Sequence, residues 1–175
     1  MDVRFEDPSL EKLEVDPKYT AGLDAALVKA FRKRLQFIRA ALDERAFYAM
    51  KSLHYEKLKG DLAGQRSMRL NDQWRLILRL EEDDTGKLVV IVSIADYHCT
   101  QGHAMNTFAE IFPPGEFLRE ELEARNWSQT ELAEIMGRPV RLINEIIAGK
   151  KAITPETAIQ LGESLGTGAE VWMNL

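Results

Sequence analysis

Gln73-Trp74-Arg75-Leu76-Ile77-Leu78-Arg79-Leu80 has a period of two. Trp74, Leu76, Leu78 and Leu80 fall on one side of an extended chain, and Gln73, Arg75, Ile77 and Arg79 fall on the other. A strand written this way buries one face and displays arginines on the other. Just upstream, Met68 and Leu70 alternate with Arg69 and Asn71; downstream, Leu88 to Ala95 is apolar on both faces, as a central strand is. The acidic stretch Glu81 to Gly86 between them reads as a hairpin turn. The result is an antiparallel meander whose last strand ends in Asp96-Tyr97-His98. Three side chains that can hold, stack on and exchange protons with a nucleotide arrive together at a strand's end, which is an active-site position.

Before this meander, apolar residues recur at Leu23, Leu27, Phe31, Leu35, Ile38 and Leu42, the spacing of a helix about five turns long. Its polar side carries Lys29, Arg32, Lys33, Arg34 and Arg39, which reads as a solvated face. An extended segment (Val3, Phe5), then Asp7-Pro8 and a polar loop, precede the helix, and a shorter helix from Glu44 to Leu53 follows it. Leu58 to Gly64 is a glycine-punctuated loop. Helices packed on a small antiparallel sheet give an α+β domain, with the apolar face covered and the arginine face left for a ligand.

Composition narrows the class. The chain has 175 residues, 45% apolar and 29% charged, enough for one generous or two small domains. No stretch approaches the ~18 consecutive apolar residues of a membrane helix, and acids stand where a signal peptide would be basic. A cytoplasmic protein with no membrane partner is expected. The single cysteine, Cys99, fits a reducing compartment. Residues 1–100 carry 17 acids and 17 Lys/Arg, whereas residues 101–175 carry 11 acids and 6 Lys/Arg, so the net charge of −5 belongs to the second part. Residues 51–80 alone hold 7 Lys/Arg against 3 acids, a local excess that suits phosphates.

Lys59-Gly60-Asp61, the turn at Gly64, Asn71-Asp72-Gln73-Trp74-Arg75 and the terminal Asp96-Tyr97-His98 together resemble the HigB-type toxins of the RelE/ParE superfamily, over residues 1–98. The resemblance implies a ribosome-dependent endoribonuclease, an mRNA interferase acting on mRNA in the ribosome. Metal-free RNA cleavage needs a base for the 2′-hydroxyl, an acid for the leaving oxygen and cations against the charge on the phosphorane. Asp96 and His98 would exchange the protons, worth roughly 10²–10⁴-fold. Lys59 and Arg75 would neutralise phosphate charge, and Tyr97 would stack on a base. Arg66, Arg69 and Gln73 are candidate RNA contacts. Toxins of this type often carry a histidine shortly before the Lys-Gly-Asp loop; His54 lies two residues upstream of that spacing, with Glu56 in its place, and is set aside.

Residues 99–107, Cys-Thr-Gln-Gly-His-Ala-Met-Asn-Thr, are polar and without period and read as a linker. His98, Cys99 and His103 lack a fourth ligand and a repeated spacing, so no metal is expected, and no other cofactor. Met105-Asn-Thr-Phe resembles the start of a separate protein, as in a fusion.

Beyond it, Pro113-Pro114-Gly115 opens a helix bearing Leu118 and Leu122 that ends near Asn126-Trp127. Ser128-Gln129-Thr130-Glu131 is a capping box that restarts it. Leu132, Ala133, Met136 and the turn residue Gly137, followed by Ile143 and Ile146, make a helix-turn-helix pattern. Thr154-Pro155 starts the next helix, and Thr167-Gly168-Ala169-Glu170 reads as a further capping box before Val171 and Trp172. Residues 108–175 closely resemble HigA-type antitoxins, all-α domains of the lambda-repressor-like fold. The resemblance implies neutralisation of a toxin and, as a dimer, repression of the domain's own promoter. Arg138, Val140, Arg141 and Asn144 would face base edges, with Gln129, Thr130 and Lys150 near phosphates.

The expectation is therefore a toxin domain (1–98), a linker (99–107) and an antitoxin domain (108–175) in one chain, with docking within a chain or between chains, a homodimer, and mRNA and operator DNA as partners. The other reading is a DNA-binding autorepressor whose toxin-derived domain is catalytically inactive.

Overall fold

The computed structural model describes residues 1–83, 86–96 and 111–175. Contacts divide it into two compact units, Met1–Arg39 with Leu53–Ile111, and Ala40–Ser52 with Phe112–Leu175.

The first unit opens with β1 (Asp2–Phe5) and α1 (Pro8–Val15), the latter started by Asp7, whose carboxylate accepts from Ser9 N at 2.8 Å, and by a proline at the first helical position. The sequence reading had a polar loop here. Only Leu10 and Leu13 of α1 are buried, one short stripe that periodicity does not separate from a loop. α2 (Ala25–Ala40) is capped by Asp24, which accepts from Ala26 N and Leu27 N at 2.9 and 3.0 Å.

Its polar side is only in part the solvated face expected: Lys29 and Arg39 are exposed, but Lys33 and Arg34 are 4% and 6% exposed. Arg32 donates to the carbonyls of Leu13 and Asp16 at 2.9 and 2.7 Å, tying α1 to α2, and Arg34 Nε donates to Arg69 O at 2.9 Å. These guanidiniums satisfy main-chain carbonyls, which lets Arg34 lie buried and Arg32 half-buried.

The sheet has the order β1-β5-β4-β3-β2, with β2 Glu56–Lys57, β3 Arg66–Arg69, β4 Trp74–Asp83 and β5 Gly86–Asp96. Four strands form the antiparallel meander, and β1 joins parallel to β5 (Val3 opposite Val89, Phe5 opposite Ile91), so the sheet is mixed. β4 runs on to Asp83, making Glu81 and Glu82 ladder positions opposite Leu88 and Lys87 rather than turn residues. Glu81 is held there by Arg79 at 2.7 Å and by Arg4.

In β4–β5, Ile77 pairs with Ser93 but Leu78 with Ile91, leaving Val92 as a bulge. Met68, Leu76, Leu78, Val89 and Ile91 are buried, as are Leu13, Leu27, Phe31, Leu35 and Ile38 from the helices. Ile77 and Val90 are buried as well, so the polar face narrows to its arginine ends.

The second unit contains α3 (Glu44–Ala49), a 3-10 turn (Lys51–Leu53, reaching one residue past the unit), and α4 (Pro114–Arg125), α5 (Gln129–Ile135), α6 (Val140–Ile147), α7 (Pro155–Leu165) and α8 (Ala169–Asn174). Local chemistry sets most boundaries. Asn126 ends α4 in the left-handed region, Ser128 and Glu131 form a reciprocal capping box at α5, and Thr154 caps α7. Gly137, at φ +63°, lets the chain reverse between α5 and α6.

The second expected capping box does not form. Trp172 Nε1 donates to Thr167 Oγ1 at 2.8 Å, so that hydroxyl serves the buried indole, and Gly168 starts α8 without a side-chain cap. Leu132, Ala133, Met136, Ile143 and Ile146 are all buried. At Gly115 a side-chain carbon would lie 2.2 Å from the Ile146 carbonyl oxygen, so α4 and α6 pack backbone to backbone there.

Candidate functional sites

In the first unit, the polar end of the sheet is built around the turn between β3 and β4. Asn71 Oδ1 accepts from Gln73 N and Trp74 N at 2.9 and 2.8 Å, which fixes the turn, and Leu70 N donates to Trp74 O at 3.0 Å. The register that follows sets Arg69 directly opposite Arg75. Cross-strand partners share a face, so two guanidiniums stand side by side. Arg75 Nη1 donates to Asn71 O at 3.0 Å, and Arg69 pairs with Asp72.

His54 completes the cluster, with Nε2 3.1 Å from Arg69 Nη1. Because a guanidinium can only donate, Nε2 accepts and the ring proton sits on Nδ1. Desolvation first, then the charges of Arg69 and Arg75, hold the His54 pKa below its ordinary value, so the ring stays a neutral base. Its backbone, at φ +44°, lies in the left-handed region, which only a few per cent of non-glycine residues adopt. This histidine, set aside on spacing, is the residue the structure adds to the site. The family's histidine before the Lys-Gly-Asp loop is the linear signal for it, and the two-residue difference in spacing hides it.

The other expected residues are placed as follows. Lys59 is exposed just before the 3-10 turn Gly60–Leu62. Arg66 donates to Gly64 O at 2.7 Å, and Gln73 is exposed at the turn. Asp96 closes β5, in register with Trp74, one ladder position from the Arg75–Ala95 pair. Tyr97 and His98 lie outside the described residues, as do Cys99, His103 and all of 99–107. Chemically, the described part sets the cationic side chains of Arg69 and Arg75 near an exposed imidazole whose protonation they disfavour.

In the second unit, α6 buries Ile143 and Ile146 and exposes Val140, Arg141 and Asn144, as a helix presented to a groove would. Arg141 Nε binds Glu145 Oε1 at 2.7 Å, an exposed i,i+4 pair that raises the pKa of the arginine and lowers that of the glutamate. Arg138 is tied to Gln160 at 2.7 Å and to Glu156. Gln129 is half-buried at the start of α5, while Thr130 and Lys150 are exposed. Among the described residues no group of three metal-ligating side chains is assembled, and no helix is long and apolar enough to cross a membrane.

Comparison with known proteins finds matches to both parts of the chain. The family model of the RelE-like toxins of the HigB type II toxin–antitoxin system matches residues 3–98, more than half of the chain, and a helix-turn-helix model matches residues 118–172. An HTH-type transcriptional regulator of Escherichia coli, YddM, is 36% identical over 62 residues, covering 35% of this chain and 66% of the relative. Virulence-associated protein I of Dichelobacter nodosus is 38% identical over 63 residues, covering 35% and 58%. The chain thus spans less than two thirds of these curated relatives. A solved addiction module antidote protein of a HigA family from Coxiella burnetii is 36% identical, covering 36% of this chain and 70% of that one, with a TM-score of 0.35.

Proposed function

Because this chain belongs to the RelE-like toxins of the HigB type II toxin–antitoxin family and carries a helix-turn-helix domain behind the toxin sequence, we propose that it is a toxin and its antitoxin in one polypeptide. The toxin part is a ribosome-dependent endoribonuclease, held silent by the antitoxin part, which as a homodimer also binds operator DNA in its own promoter. The domains run 1–98 and 108–175, joined by 99–107, and the chain works in the cytoplasm. Tethering supports the silencing, since a short linker gives an effective concentration of order mM.

The observation that supports the nuclease reading is the Arg69–Arg75–His54 cluster, whose Arg75 lies on the strand that pairs with the one ending in Asp96. The arginines and Lys59 meet the phosphate from fixed positions, so their stabilisation of the phosphorane needs no reorganisation. Asp96 and His98 exchange the protons, Tyr97 stacks on a base, and Arg66, Arg69 and Gln73 contact the RNA on either side. In a reconstituted translation reaction, residues 1–98 cut mRNA only when it is ribosome-bound, and Arg75→Ala slows the cut by roughly 10²–10³-fold. A soluble wild-type segment that cuts nothing refutes the nuclease.

A second reading, an autorepressor with an inactive toxin-derived domain, is favoured by the name of the E. coli relative, a transcriptional regulator. It shares the DNA-binding surface: Arg138, Val140, Arg141 and Asn144 toward bases, and Gln129, Thr130 and Lys150 toward phosphates. Arg141 exchanges an exposed partner, Glu145, for DNA, and exposed pairs contribute little. A gel shift of the full chain on DNA upstream of its gene tests both readings, Arg141→Ala losing roughly 1–3 kcal/mol of discrimination. Absence of any shift discards the repressor role.

A further inference from the structure

Residues 40–52 fall within the stretch matched by the toxin family, yet they pack in one compact unit with the helices that follow Phe112. Three side chains of those helices hold this segment, and each does so through its main chain. Asn174 Nδ2 donates to Ala40 O at 3.0 Å, at the start of the segment. At its end, the two carboxylate oxygens of Glu121 accept one N–H each, from Lys51 and Ser52, both at 3.0 Å. Arg125 bridges the two elements: Nε binds Glu121 at 2.6 Å, and Nη2 donates to Ala49 O at 2.8 Å and to Leu165 O at 2.9 Å.

Glu121 is fully buried and the Arg125 side chain is 10% exposed. A buried carboxylate needs a cation and several donors, and the segment supplies two of those donors, where the 3-10 turn begins. Meanwhile the side chain of Arg45 points away, 92% exposed, and Tyr48 is 49% exposed.

We propose that Glu121, Arg125 and Asn174 form a docking surface by which the helix-turn-helix part of the chain recognises the α3 segment of the toxin sequence by its backbone, and that its occupant is the chain's own residues 40–52. Recognition through main-chain groups tolerates sequence change at the exposed α3 positions Arg45 and Tyr48, though not at the buried Ala46 and Phe47, and does not tolerate loss of the two ends. Glu121 with Arg125 is then the latch. Its effect on toxicity rests on the nuclease reading above; the contact itself does not.

The test uses the full chain and reads amide hydrogen exchange at Lys51 and Ser52. Glu121→Gln keeps the shape but presents one acceptor and one amide donor to two N–H groups. Exchange at these amides rises at least about 10-fold, while those of Leu132 and Ile143 keep their protection. Arg45→Ala changes nothing, and Asn174→Ala, on the exposed last turn, speeds exchange at residues 41–44 alone.

Unchanged exchange in Glu121→Gln overturns the proposal. So does loss of protection throughout α4–α8 with no local effect of Asn174→Ala, which makes Glu121 a folding residue only. Protection that disappears on dilution with a dimer-to-monomer transition overturns the own-chain occupant in favour of a second copy. Growth on induction separates the two levels. Faster exchange with arrested growth, relieved by adding Arg75→Ala, supports both latch and nuclease; faster exchange with normal growth supports the latch and counts against the nuclease.

Discussion

Arg79 and Arg125 each bind a glutamate, and the two pairs behave as opposites. Arg79 sits on the sheet, about a third exposed, shared between Glu81 and Glu6. Arg125 lies inside the helical unit beside a carboxylate with no exposure at all, and it also binds the carbonyls of Ala49 and Leu165 and stacks on Trp127 at 5.2 Å. On the sheet, water can replace either partner, so the pair is adjustable and suits a face that must let go of one anion to take another. In the helical unit nothing can replace a lost partner, so the pair is obligatory and holds fixed whatever it touches.

The largest effect tests the obligatory side. Arg125→Ala strands the Glu121 charge and costs about 3–5 kcal/mol in urea unfolding of the full chain. A loss no larger than that of a surface variant would erase the contrast. Next, Gly115→Ala drives a carbon into the Ile146 carbonyl and lowers stability by about 1–3 kcal/mol in the same measurement. Arg79→Ala, by contrast, leaves the urea midpoint within experimental error.

An effect confined to the acid side concerns His54. Its folded pKa is depressed, so its contribution to stability is present above the ordinary histidine value of about 6.5 and is lost as pH falls through the lower, folded value. An NMR titration places its midpoint below 6.5 with the proton on Nδ1, and His54→Asn removes that acid-side loss. A midpoint at or above 6.5 would mean that the arginines do not press on the ring.

Legibility followed the range of the interactions. The helix-turn-helix could be read almost residue by residue, because Ser128, Glu131, Gly137 and Thr154 act on neighbours within a turn. Thr167 misled for the same reason: its capping pattern is local, but Trp172, five residues on, takes the hydroxyl. The Trp74–Leu80 alternation gave the meander, whereas the parallel pairing of β1 with β5 joins residues more than eighty positions apart and leaves no local mark. Arg34 looked solvated because its partner, Arg69 O, belongs to another element. Glu121 stands in Arg119-Glu120-Glu121-Leu122-Glu123, where nothing in the string marks it as the buried one. At the candidate catalytic end, residue types and the family pattern named Arg75 and Asp96, and only the folded turn brought His54 to Arg69.

Growth after induction of residues 1–98 beside the full 1–175 chain, at equal soluble levels, tests most directly whether one polypeptide holds both a toxin and its restraint. The account predicts arrest with the short chain, relieved by Arg75→Ala, and normal growth with the full chain. Normal growth with soluble wild-type 1–98 would contradict it.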